Sequence, residues 1–138
     1  MNRRARLALA AALALVPAAG AQPAFPGFQT PSGNIHCAVY DDPGPTLRCD
    51  VLNYAGPRPP KPRGCDLDWG SSFFVAATGR AAVGCVGDTV ADPRYPRLAY
   101  GRTWALRGFS CASSATGLRC TNRSGHGFAL SRASARTF

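Results

Sequence analysis

The chain has 138 residues, six of them cysteine, and carries 16 Lys+Arg against 7 Asp+Glu, a formal charge of +9. Every acid is aspartate, every base but Lys61 is arginine, and 15 Gly and 12 Pro punctuate the whole length. These totals fit one domain and exclude a coiled coil, a multidomain enzyme and a polytopic membrane protein.

Residues 1–21 read as a secretory signal peptide. Arg3, Arg4 and Arg6 precede an apolar run over 7–16, Pro17 breaks it, and Ala19-Gly20-Ala21 supplies small residues for cleavage. Ten apolar residues are too few to span a bilayer, which needs about 20. The expectation is Sec-type export to the periplasm or the exterior, cleavage after Ala21, and one mature domain over 22–138 with no transmembrane segment.

All six cysteines, Cys37, Cys49, Cys65, Cys85, Cys111 and Cys120, lie in that mature part. An even count in a small exported chain argues for three disulfides. Six cysteines allow fifteen connectivities; the spacing favours nearest neighbours, 37–49, 65–85 and 111–120, each bracketing turn residues as a cross-strand staple would. No C-x-x-C occurs and the two histidines are not at ligand spacing, so neither metal nor cofactor is expected.

Along the mature chain, short apolar runs alternate with Gly, Pro, Asn and Asp, and no segment keeps a helical period. Residues 35–39 and 47–52 read as strands around Asp41-Asp42-Pro43-Gly44-Pro45. Residues 72–77 and 81–86 form a second hairpin across Thr78-Gly79-Arg80, and 109–112 and 118–121 a third. Residues 128–131 read as a last strand. The stretches 22–28 and 55–64 are rich in Pro, and the second reads as an extended, polyproline-like surface connector; 88–96 is a turn-rich connector. The fold class is all-β: a small barrel or two-sheet sandwich of disulfide-stapled hairpins. A faint internal echo pairs Leu47-Arg48-Cys49 with Leu118-Arg119-Cys120.

Charge is unevenly placed. Residues 22–92 hold five bases and all seven aspartates, whereas 93–138 hold eight arginines and no acid. Alternation along strands splits such arginines between two faces, and pairing with the Asp-bearing strands is the first expectation. The alternative is a basic face that recruits an anionic envelope polymer or an acidic protein. Nucleic acid is not expected, because an exported protein seldom meets it.

Catalytic patterns are weak. Asp66 and Asp68, beside Trp69, would share a face if both lay on one strand, as paired carboxylates at a sugar site do; one capping a turn and one solvated is the preferred reading. Asp88 reads as bonded to turn amides. Ser124-Gly125-His126-Gly127 is the most site-like string and equally a turn into a strand. A nuclease would need His36 and His126 side by side, with arginine on phosphate. Asn122-Arg123-Ser124 matches a glycosylation sequon, discounted on the bacterial character of the signal and composition. The candidate binding residues are Asp66, Asp68, Trp69, Asp88, Arg119, Arg123 and His126, with no catalytic assignment.

Six strings taken together are familiar: Ser32-Gly33-Asn34-Ile35-His36-Cys37, Leu47-Arg48-Cys49-Asp50, Cys65-Asp66-Leu67-Asp68-Trp69-Gly70, Cys85-Val86-Gly87-Asp88-Thr89, Leu98-Ala99-Tyr100-Gly101 and the run from Gly117 to Phe128. The chain resembles a family of small exported bacterial proteins known chiefly as a domain of unknown function. The resemblance implies an exported single domain whose cysteines belong to its pattern, and it carries no catalytic residues. The expected function is a non-catalytic binding module of the envelope or extracellular space. The alternatives are a secreted inhibitor of a hydrolase, which rigid disulfide-held loops would suit, and a small secreted hydrolase or nuclease.

Overall fold

The computed structural model describes residues 26–138; the expected signal peptide and its cleavage point lie outside them. Strands β1 (Gly27–Gln29), β2 (Ile35–Tyr40), β3 (Thr46–Val51), β4 (Asp68–Ala76) and β5 (Ala82–Val86) form one antiparallel meander. Strands β6 (Thr103–Leu106), β7 (Phe109–Ser114), β8 (Gly117–Thr121), β9 (Gly127–Leu130) and β10 (Ala135–Thr137) form a second. No helix occurs among the described residues. The sheets share one core and are not closed into a barrel, so the all-β fold is the sandwich.

Period-two alternation builds that core. Ile35, Leu47, Val51, Phe73 and Val75 face inward from the first sheet, and Phe109, Leu118, Phe128 and Leu130 from the second. The three predicted hairpins form at β2–β3, β4–β5 and β7–β8. Sequence reading passes over β1, β6 and β10. All three are sheet edges of three or four residues, too short to display alternation. The β6–β7 turn adds a disguise: Arg107 and Gly108 both have positive φ, 54° and 89°, in a two-residue turn that ordinarily advertises itself as Asn-Gly.

The disulfides join Cys37 to Cys49, Cys65 to Cys85 and Cys111 to Cys120, the pairs that spacing favours. Cys37 is registered directly opposite Cys49, and Cys111 opposite Cys120. All four are fully buried, and the sulfurs of Cys37, Cys49 and Cys120 lie within 4.8 Å of one another. The two bonds therefore stack across the middle of the core, one from each sheet. The third bond differs, because Cys85 is exposed. Mild reductant under native conditions should open 65–85 alone, since attack needs access to sulfur. Alkylation and mass spectrometry should find label on Cys65 and Cys85 only, and on the other four after unfolding; label on Cys37 or Cys111 in the folded protein would contradict this packing.

The connection from β5 to β6 decides what each sheet shows to solvent. β5 is an edge of the first sheet, whereas β6 begins beside the opposite edge, where Trp104 packs on Phe28 with ring centroids 4.9 Å apart. The chain must recross five strands, about 19 Å. Residues 87–98 do so as a strap over the outer face of the first sheet. The strap is bonded to β3 through Asp88 and Val90 and to β1 through Gln29, which pairs with Pro96, Arg97 and Leu98. As a result β2 and β3 are buried on both faces.

The Pro-rich segment covers a flank. Tyr54 Oη donates to Pro57 O and Trp69 Nε1 to Pro59 O, both 2.9 Å, and Ala55 N donates to Arg132 O. Nothing among the described residues lies over the outer face of the second sheet. There β7 and β8 alternate strictly between buried and open positions.

Candidate binding face

The L-R-C echo marks equivalent places in the two sheets. Leu47-Arg48-Cys49 lies on β3 and Leu118-Arg119-Cys120 on β8, each the middle strand of its five. Cys49 is registered against Phe73 and Cys120 against Phe128; Arg48 is registered against Ala38 and Arg119 against Ala112. Each arginine points outward from the core and stacks on a phenylalanine, Arg48 on Phe74 at 5.3 Å and Arg119 on Phe138 at 4.2 Å.

Their surroundings then diverge. Arg48 is 5% exposed and Asp50 is 4% exposed. Arg48 Nε and Nη2 donate to the two oxygens of Asp50 at 2.8 and 3.0 Å. Nη1 donates to Asp88 Oδ1 at 2.8 Å and Nη2 to the Asp88 carbonyl at 2.7 Å. Asp50 Oδ2 also accepts from Thr89 Oγ1 and Val90 N. Burial disfavours the charge on Arg48, but its hydrogen bonds to Asp50 and Asp88 outweigh it and hold its pKa above the ordinary value. The Arg48 hydrogen bond in turn lowers the pKa of Asp88. Further along the strap, the Arg94 side chain holds Asp92 down to about 2.

Arg119 has none of this. Thr121 stands where Asp50 stands on β3, and no aspartate among the described residues lies within ion-pair reach of Arg119. Arg136 on β10 is aligned with it through Ala129, and both guanidinium groups lie within 5.1 Å of the Phe138 ring. Ala129 lies between them and Ala112 on the far side of Arg119, and with Gly117 they leave a floor free of large side chains. The result is an open groove of about 490 Å³ with two unneutralised arginines on its bed.

The sequence candidates sit in separate places. Asp66 precedes β4 rather than lying on it, so strand geometry does not pair it with Asp68; both are exposed. Trp69 anchors the Pro-rich segment. Asp88 serves Arg48 in place of turn amides, because a buried guanidinium is the stronger donor. Arg123 lies against Gly108 at the β6–β7 turn. Arg119 alone belongs to the groove.

His126 lies in the β8–β9 turn. Asn122 Nδ2 donates to Ala76 O and Gly79 O, and its Oδ1 accepts from Ser124 N, Ser124 Oγ and His126 N. Only 6% exposed and fully bonded, Asn122 offers no glycan attachment. His36 is buried under the strap, its Nδ1 accepting from Asp92 N and its Nε2 donating to Gly33 O. It is registered against Asp50 and hence Ser72, while the His126 turn docks at Ala76, about 13 Å further along β4. The structure does not bring the two imidazoles together. The clustered sulfurs of Cys37, Cys49 and Cys120 are engaged in disulfides and offer no thiolate to a metal.

The arginines of the last third divide. Arg94 and Arg107 pair with Asp92 and Asp41, and Arg97 donates to backbone carbonyls. Arg102, Arg119, Arg123, Arg132 and Arg136 have no aspartate within reach among the described residues. Sequence reading counts Arg136 among the eight arginines of a possible basic face without setting it beside Arg119, and it misses Phe138; both reach the groove through the pairing of an edge strand too short to anticipate.

Residues 7–138 match a family of unknown function, DUF6636. The chain belongs to this family. The match takes in every described strand and all six cysteines. No curated protein and no solved structure matches the chain. Within the DUF6636 domain, the strings that carry the resemblance include the residues that fasten the strap, Arg48, Asp50 and Asp88, and the one that fastens the β8–β9 turn, Asn122.

Proposed function

We propose that this DUF6636 protein is an exported, non-catalytic binding module that holds an anionic partner on the open face of its second sheet. The observation that carries the reading is the contrast between Arg48 and Arg119. The same local sequence gives one arginine saturated by two aspartates and one with no acid at all. Exposed arginines prepositioned on an aromatic ring favour a planar anion, because the guanidinium fork is already oriented. Three disulfides suit an oxidising compartment outside the cytosol, and with the apolar leader at 7–16 they support export. No helix of the described residues is long and apolar enough to cross a membrane.

Reversing both charges, Arg119→Glu with Arg136→Glu, should lower retention on an anionic polymer at least tenfold at physiological salt. Losing two exposed cation–π contacts should cost stability about 1–2 kcal/mol in all. The same charge change at Lys61 and Arg63, both exposed on the Pro-rich segment and outside the lining of the groove, should leave retention near that of the parent. Wild-type retention should fall steeply with salt, since exposed charges are screened beyond about 8 Å at physiological ionic strength. Equal loss from both pairs of reversals would reduce the effect to net charge and defeat the reading.

A further inference from the structure

The geometry points to an extended acidic polypeptide segment as the occupant of the open face, lying over β8 much as the strap lies over β3. This inference rests on the basic-face reading above and narrows it to one class of ligand.

The protein displays one such complex within itself. Arg48 grips a single residue of the strap at two points: Nη1 holds the Asp88 carboxylate and Nη2 the Asp88 backbone carbonyl. A guanidinium that takes a carboxylate and the neighbouring amide carbonyl together recognises a peptide-borne acid, whereas a phosphate chain or polyuronate offers the acid without that carbonyl. Between a bend at Gly87-Asp88 and a turn closed by Tyr95 N on Asp92 O, the strap crosses the strands and carries a second acid, Asp92, four residues after Asp88.

The open face repeats the receiving half of this arrangement. Arg119 holds the register position of Arg48, is stacked on a phenylalanine as Arg48 is, and has its other donors free of protein carboxylates among the described residues. Thr121 in place of Asp50 removes the internal counterion, so a ligand acid meets no competing protein carboxylate at Arg119. Arg136 supplies a second cation two strands away, about 10 Å between strand axes. A peptide of alternating carboxylates spans that distance in three to four extended residues, at about 3.3 Å each. The alanine floor leaves room for a main chain to approach the sheet, where Phe74 fills the matching place beside Arg48.

A peptide that copies residues 86–93, Val-Gly-Asp-Thr-Val-Ala-Asp-Pro, tests this in trans against the whole protein. Its binding, followed by titration calorimetry or amide shifts, should saturate. It should weaken at least tenfold when both peptide acids are changed, Asp88→Asn and Asp92→Asn, or when the protein carries Arg119→Gln. Polyphosphate and polygalacturonate serve as peptide-free anions at matched charge. If these bind through Arg119 while the peptide does not bind, or its Asn version binds equally well, the peptide inference falls and the basic face stands. If no anion binds in an Arg119-dependent way, both fall.

Discussion

Replacing Asp50 with alanine should destabilise the protein by about 3–5 kcal/mol, because it leaves the buried Arg48 charge without its bidentate partner. For a domain of this size that lowers the melting temperature by about 12–20 °C, a large share of a typical total of roughly 5–15 kcal/mol. The loss also strands Val90 N and Thr89 Oγ1, which share Asp50 Oδ2, so the strap should loosen with it. A double change, Arg48→Met with Asp50→Leu, removes both charges and should recover part of the loss. Calorimetric melting of the three proteins checks this; a melting temperature for Asp50→Ala within about 3 °C of the parent would show that the pair does not hold the strap. Acid acts in the same direction at the neighbouring contact. The folded-state pKa of Asp88 is depressed, so its contribution is complete above its unfolded value and disappears as pH falls through the folded one.

Asn122→Ala should cost about 2–4 kcal/mol. One amide joins the two sheets by bonding the β4–β5 hairpin at Ala76 and Gly79 while closing its own turn at Ser124 and His126. Its removal orphans two carbonyls and two amides in a part-buried place. Asn122→Asp should not rescue. It keeps the acceptor but turns a carboxylate toward the carbonyls of Ala76 and Gly79, which need donors. Urea unfolding with an unchanged m-value and a lowered midpoint is the expected result for both. A midpoint for the Asn122→Asp protein equal to that of the parent would show that the Nδ2 bonds to Ala76 and Gly79 carry no weight and that the acceptor alone holds the turn.

The sequence announces the strands that alternate and the cysteines that face each other, because period two and hairpin spacing are local. Cys37 and Cys49 bracket one turn, Cys111 and Cys120 another, and neighbours in sequence become register partners. The edge strands are illegible because three residues of Gly27–Gln29 or Ala135–Thr137 carry no period. The strap is half legible: its turn residues mark a connector, but that it recrosses a sheet follows only from where β6 must begin. That crossing turns Arg48 into a structural residue and leaves Arg119 free, a difference invisible in two identical L-R-C strings. Asp50 two residues after Arg48, against Thr121 after Arg119, is the one local clue. His36 and His126 look equivalent in sequence, yet His36 lies level with the middle of β4 at Ser72 and the His126 turn docks at its end, at Ala76.

Mapping the bound anion onto the amides is the most direct test of a basic face on the second sheet. A nitrogen–proton correlation titration of the labelled protein with polyaspartate at low salt should shift the amides of β8, β9 and β10 around Arg119, Ala129 and Arg136, and the shifts should vanish in Arg119→Gln with Arg136→Gln. Shifts confined to the strap or the Pro-rich segment, or none at all, would contradict the account.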